Sequence, residues 1–137
     1  MAYILDYLRT ASPPQSNPKR RLLTTLPPPQ LPLNPIIYLA VLVDSVAPLL
    51  KIRQQRGMAG GGASVQIPVP LAVRQRRRTA IKWIIDASDK RRDSNLGTRI
   101  AQELLAVAEG RSGVWEKREM VHKLGVAGRS NLRIAGR

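Results

Sequence analysis

A chain of 137 residues with no cysteine and no phenylalanine carries 23 basic side chains against 9 acidic ones, a formal net charge of +14. Without cysteine there is neither a disulfide framework nor a thiolate metal site. Basicity on this scale points to a phosphate-bearing partner, with an anionic membrane surface as the rival.

The charge is uneven. Residues 1–50 hold only Arg9, Lys19, Arg20 and Arg21 against Asp6 and Asp44, so nearly all the excess lies in the second part of the chain. The longest clean apolar run, Ile36 to Val43, ends at Asp44 and falls far short of the roughly 20 residues a membrane span needs. Asp6 and Arg9 interrupt any signal-peptide pattern at the start. No membrane partner is expected, and the length suits a single domain over 1–137.

In chain order, Ile4, Leu5 and Leu8 fall at helical spacing and predict a short amphipathic helix from Ala2 to Thr10. It has no lead-in cap, so the domain is expected to begin upstream. Residues 12–35 hold eight of the eleven prolines and read as an extended insertion. Asn34-Pro35 suits the cap and first turn of a second helix, Pro35 to Ala47, apolar nearly all round and therefore a core helix. Pro48 ends it. Residues 49–71 read as a β-hairpin arm: alternation from Leu49 to Arg56, then Gly57, Gly60, Gly61 and Gly62, then Val65 to Leu71. Pro68 and Pro70 bar the second strand from the middle of a sheet, which makes an isolated ribbon that projects and is ordered by its partner.

A third helix is expected from Arg74 to Asp89, with Ala80, Ile81, Ile84, Ile85 and Ser88 facing inward. Asp93-Ser94-Asn95 offers capping oxygens to a fourth helix whose buried face is Leu96, Ile100, Leu104, Val107 and Ala108. Gly110 stands at its left-handed C-cap. A fifth helix runs from Val114 to about Arg133, weakened by Gly125 and Gly128. The fold class is all-α, mainly a helical bundle, with a projecting β-hairpin arm.

Bond-making chemistry lacks its parts. His122 is the only histidine, and the glycine run lacks the Lys-Ser and helix start of a P-loop. Asp86, Asp89 and Asp93 sit among Lys90, Arg91 and Arg92 and read as an ion-paired, solvated face, not a metal cluster. No cofactor, no metal and no small-molecule substrate are expected. The cations are better organised. Arg74, Arg76, Arg77 and Arg78 crowd a helix N-terminus, where they oppose the macrodipole at ~0.3–1 kcal/mol each, so an external anion should neutralise them. Lys117, Arg118, His122, Lys123 and Arg129 recur along the fifth helix as a phosphate-tracking stripe, and Lys51, Arg53 and Arg56 climb the arm. Aromatics are scarce at 4%, so recognition should rest on phosphate, 2′-hydroxyl and shape. Trp83 reads as structural; Trp115 could pack or stack.

The motifs Gly61-Gly62, Val65-Gln66-Ile67-Pro68-Val69, Arg74…Arg77-Arg78…Trp83-Ile84, Leu96…Arg99-Ile100-Ala101…Glu103-Leu104 and Lys117-Arg118-Glu119…His122-Lys123 occur in order. Together they resemble the signature of the small-subunit ribosomal protein seven family over about residues 36 to 133. The resemblance implies a helical, non-enzymatic protein with a hairpin arm that binds the 3′ major (head) domain of small-subunit rRNA and organises head assembly. It further implies neighbouring small-subunit ribosomal proteins as partners, with the glycine tip near exit-site tRNA and mRNA. The residues expected on rRNA are Lys51, Arg53, Arg56, Arg74, Arg76, Arg77, Arg78, Lys82, Lys90, Arg91, Arg92, Arg99, Arg111, Lys117, Arg118, His122 and Lys123.

The chain departs from the family in lacking its basic N-terminal extension and first helix. It also has a Pro-rich insertion, Val65 where an aromatic is usual, a longer tip and a shorter tail. Such divergence suggests a mitochondrial member ahead of a bacterial or plastid one. The alternative is a free-standing DNA- or tRNA-binding module, with the fourth and fifth helices as a helix-turn-helix pair. It would need Asn or Gln base readers at the start of the fifth helix, and none is there.

Overall fold

The computed structural model describes residues 2–10, 22, 34–56 and 64–129. Most of the Pro-rich segment, the glycine tip and residues 130–137 lie outside them. The described elements are α1 (Ala2–Thr10), α2 (Pro35–Val46), β1 (Leu50–Arg56), β2 (Ser64–Pro70), α3 (Val73–Ser88), α4 (Leu96–Ala108) and α5 (Gly113–Ala127). The protein is mainly helical with one antiparallel hairpin, as the patterning implies.

Local chemistry sets the helix ends. Asn34 accepts the Ile37 N–H at 3.4 Å with Pro35 in the first turn, and Ala47 turns extended before Pro48. Asn95 accepts the Gly97 N–H at 2.9 Å at the start of α4, where the Asp-Ser-Asn run places a cap. Gly110 has φ 76°, the left-handed conformation expected after α4. Ser112 caps α5 through the Val114 N–H at 3.2 Å. At the start of α3, Gln75 Oε1 accepts the Ala72 N–H at 3.2 Å, a reach-back that satisfies one orphan donor.

The core is one cluster drawn from all five helices, including Ile4, Leu8, Tyr38, Leu42, Val46, Ile84, Leu104, Val107, Val114 and Trp115. Truncating a fully buried leucine such as Leu8 or Leu42 to alanine costs about 2–5 kcal/mol. Trp115 packs, because its indole Nε1 donates to the Val107 carbonyl at 2.9 Å in a buried site. Trp83 is half-buried against the same cluster. The Tyr3 hydroxyl bonds Thr98 Oγ1 at 2.9 Å and ties α1 to α4. No helix among the described residues is long and apolar enough to cross a membrane.

Several faces differ from expectation. On α3 the buried positions are Ala80, Ile84 and Ser88, while Ile81 and Ile85 are 47% and 41% exposed. The helix is rolled so that an i, i+4, i+8 line faces α2 and α4, and the two isoleucines one step further round are left outside. On α2, Ile36 and Ile37 are exposed, so the helix is core along one side only. Leu96 is exposed and Ile100 half-buried on α4.

The hairpin pairs Leu50 with Pro70, Ile52 with Pro68, Arg53 with Ile67 and Arg56 with Ser64. A two-stranded ribbon has only edges, which is why its prolines are tolerated. The ribbon is nevertheless not isolated, because its root lies on α5. A Cβ at Gly125 would stand 2.8 Å from Leu50 Cδ2, and one at Gly128 would stand 2.8 Å from the Gln66 carbonyl oxygen. These two glycines are seats for the ribbon, chosen for close approach. Gly125 lies inside α5 and carries the helix-propensity cost of glycine, while Gly128 stands at the C-cap, where glycine is well suited.

Candidate nucleic-acid interface

Three cationic regions emerge. The first is the exposed side of α3. Arg74, Arg77 and Arg78 line one shallow cleft with Val73 and Ile81, and Lys82 is exposed further along. The second joins the end of α3 to α5, where Lys90, Arg91 and Lys117 line an open cleft of about 520 Å³ shared with Glu103 and Glu116. The third is β1 of the arm, where Lys51 and Arg53 are exposed on one face and Arg56 closes the strand. The tip glycines 57, 60, 61 and 62 lie outside the described residues.

Not every expected cation is free to meet a phosphate. Arg77 makes a two-pronged contact with Asp44, Nε to Oδ1 at 2.8 Å and Nη2 to Oδ2 at 3.1 Å. The carboxylate bond holds its guanidinium pKa above the ordinary value. The Arg91 Nε donates to Glu103 Oε2 at 2.9 Å, where the carboxylate is 7% exposed. Glu103 also accepts from the Ser112 hydroxyl, so one buried acid joins the α3–α4 connection to the cap of α5. The aspartates expected to neutralise Arg91 are bypassed, because a buried carboxylate lacks the water that competes for an exposed one. Arg111 pairs with its neighbour Glu109. Arg99 is half-buried, and its Nε has no hydrogen-bond partner among the described residues.

The supposed stripe on α5 divides. Lys123 is exposed and Lys117 half-buried beside Lys90. Arg118 and His122, one turn apart, instead turn toward the junction of α2 and β1. Arg118 Nε donates to the Ala47 carbonyl at 3.4 Å, and Arg76 Nε of α3 donates to the Pro48 carbonyl at 3.2 Å. The Leu49 N–H donates to His122 Nε2 at 3.0 Å, which leaves the ring proton on Nδ1. Burial, then the charges of Arg118 and Arg76, hold the imidazole pKa below its ordinary value. Burial, followed by repulsion from Arg76, likewise lowers that of Arg118.

The cations left exposed and without a hydrogen bond or ion pair among the described residues are Arg9, Lys51, Arg74, Arg78, Lys82, Lys90, Arg92, Lys123 and Arg129. They can neutralise a polyanion. No group of three or more His, Asp or Glu side chains among the described residues is placed to hold a metal ion.

The model of the family described as ribosomal protein S7p/S5e matches residues 19–129. The chain belongs to that family. It is 52% identical over 138 residues to the small ribosomal subunit protein uS7m of Neurospora crassa, covering 96% of this chain and 45% of that protein. The small ribosomal subunit protein uS7 of Francisella philomiragia is 39% identical over 88 residues, 64% of this chain and 54% of that one. Its counterpart in Francisella tularensis subsp. novicida is 36% identical over the same length. The chain thus spans about half the length of the curated relatives it matches.

Sequence reasoning missed Asp44 and Glu103 as partners of the basic residues, and Ser112 as a second donor to Glu103. Nothing in their spacing marks them, since the contacts cross from one helix to another. Gly125 and Gly128 were the available signal for a close approach.

Proposed function

We propose that the protein is a structural, non-enzymatic constituent of the small subunit of a mitochondrial ribosome, and that it binds the 3′ major (head) domain of small-subunit rRNA. The single domain supplies a helical body carrying the cations of α3 and α5, and a hairpin arm whose tip comes near exit-site tRNA and mRNA. Neighbouring small-subunit ribosomal proteins complete its partners. Family membership and the likeness to the Neurospora crassa uS7m protein support the ribosomal and mitochondrial reading. The observation that carries the RNA-binding part is the set of exposed, unpaired cations Arg74, Arg78 and Lys82 along one face of α3. Their mutual repulsion and, for Arg74, its opposition to the helix dipole are relieved by a phosphate backbone that releases counterions on binding.

The test is filter binding to a transcript of the 3′ major domain as a function of salt. Replacing Arg74, Arg78 and Lys82 together with glutamine should weaken binding and flatten the log–log salt slope by roughly 3, about one unit per lost phosphate contact. Helicity by circular dichroism should be retained, because none of the three is engaged within the described fold. An unchanged slope would remove α3 from the interface.

A further inference from the structure

The α2–β1 junction is held in an unusual way. Helix α2 ends at Val46, Pro48 cannot continue it, and the arm begins at Leu50. The three backbone groups between, the Ala47 carbonyl, the Pro48 carbonyl and the Leu49 N–H, are each bonded by a different side chain from the body: Arg118, Arg76 and His122. The Ala47 carbonyl terminates a helix, where carbonyls lack intrahelical partners and the dipole favours cations. Two arginines whose charges repel one another are therefore brought together on adjacent carbonyls. The histidine supplies the acceptor that the Leu49 N–H needs.

We propose that Arg76, Arg118 and His122 are positioning residues that fix the direction in which the arm leaves the body. Three bonds to consecutive backbone groups remove the freedom of the residues that would otherwise act as a hinge. The seats at Gly125 and Gly128 then hold the ribbon along α5. Arm and body thus meet their partner as one preset surface, and the ordering entropy of the arm is spent in folding and not in binding. This deepens the rRNA reading and rests on it for its consequence, while the clamp itself is a property of the protein alone.

The experiment keeps the two apart. The chain has no cysteine, so Gln54→Cys on the arm and Asp86→Cys on α3 take spin labels cleanly, and pulsed electron resonance reads the distance between them. The parent should give a narrow distribution. Arg76→Met with Arg118→Met, and separately His122→Phe, should broaden it. In His122→Phe the Leu49 amide should exchange about fivefold faster, the equivalent of one lost hydrogen bond, with the amides of α4 unchanged. An unchanged distribution, an unchanged Leu49 amide, or uniform acceleration of all amides would overturn the clamp.

Hydroxyl-radical footprinting on the 3′ major domain transcript supplies the second readout. Protections lost in Lys51→Gln with Arg53→Gln define the arm's contacts. The Arg76/Arg118 variant should lose those same protections while keeping the ones that depend on α3. Loss of both sets together would make the two arginines direct ligands and refute a positioning role. A parent protein that protects nothing would overturn the rRNA reading and leave the spectroscopic result to decide the clamp.

Discussion

Replacing Glu103 with alanine tests whether the fold depends on one buried acid. The carboxylate is 7% exposed and takes a hydrogen bond from Arg91 Nε at 2.9 Å and another from the Ser112 hydroxyl. Breaking a fully buried ion pair costs about 3–5 kcal/mol, because the remaining charge is stranded. Arg91 is 34% exposed and can recover water, so that figure must be reduced. A hydrogen bond to a charged group is worth about 1.5–3 kcal/mol, and the Ser112 cap it steadies up to about 1 more. The expected loss is therefore about 2–4 kcal/mol, a fall in Tm on the order of 8–16 °C for a chain of this size. Thermal denaturation followed at 222 nm checks it. A cycle with Arg91→Met isolates the pair, and the double variant should lose at least about 1 kcal/mol less than the sum of the singles. Additive losses would mean that Arg91 and Glu103 act independently and that the assignment of Arg91 to the fold is wrong. The same pairing implies that Arg91→Met barely changes RNA affinity, whereas Lys90→Gln with Arg92→Gln weakens it.

Two further outcomes follow from the arm's root. Gly125→Val places methyl groups where Leu50 Cδ2 already stands 2.8 Å from a would-be Cβ, and should cost about 1–3 kcal/mol in chemical denaturation; a neutral result would show that the ribbon does not rest on α5. His122 makes stability depend on pH with a definite sign. Its folded pKa lies below the ordinary 6.5, so the unfolded chain binds the proton first. Stability is complete above about 6.5 and falls as the pH drops through the depressed folded value. The difference in Tm between parent and His122→Phe should shrink over that window, and a constant difference would mean that the imidazole does not titrate against Leu49.

How much of this was legible depends on the kind of contact. Elements governed by neighbours in the chain were readable: the Asn34-Pro35 start, the Asn95 cap, the Gly110 turn and the pairing of strands around the glycine run all follow from local geometry. The roll of a helix was not. Ala80, Ile81, Ile84 and Ile85 are all apolar, and only the direction from which α2 and α4 approach decides that 80 and 84 go in while 81 and 85 stay out. The cations show the same division. Their number and their crowding on α3 announce a polyanion, but Asp44 lies 33 residues from Arg77 and the Ala47 carbonyl 71 residues from Arg118. No periodicity encodes such a distance.

The way the basic residues divide has a physical basis. The cations that bond a carbonyl or a carboxylate between described residues are arginines, among them Arg76, Arg77, Arg91, Arg111 and Arg118. The lysines of the candidate interface, Lys51, Lys82, Lys90, Lys117 and Lys123, have no such bond. Guanidinium is planar, weakly hydrated and directional, so one edge can cap a carbonyl or grip a carboxylate while other N–H groups stay available. An ammonium is a strongly hydrated point charge that gains little from such a contact and keeps its water until a phosphate displaces it. A chain with an excess of positive charge can therefore use arginines to hold its helices and arm in place and leave the lysines, with Arg74, Arg78 and Arg92, as the layer proposed to meet the polyanion. It follows that substituting the bonded arginines should be read first in stability and the lysines first in the salt dependence of binding.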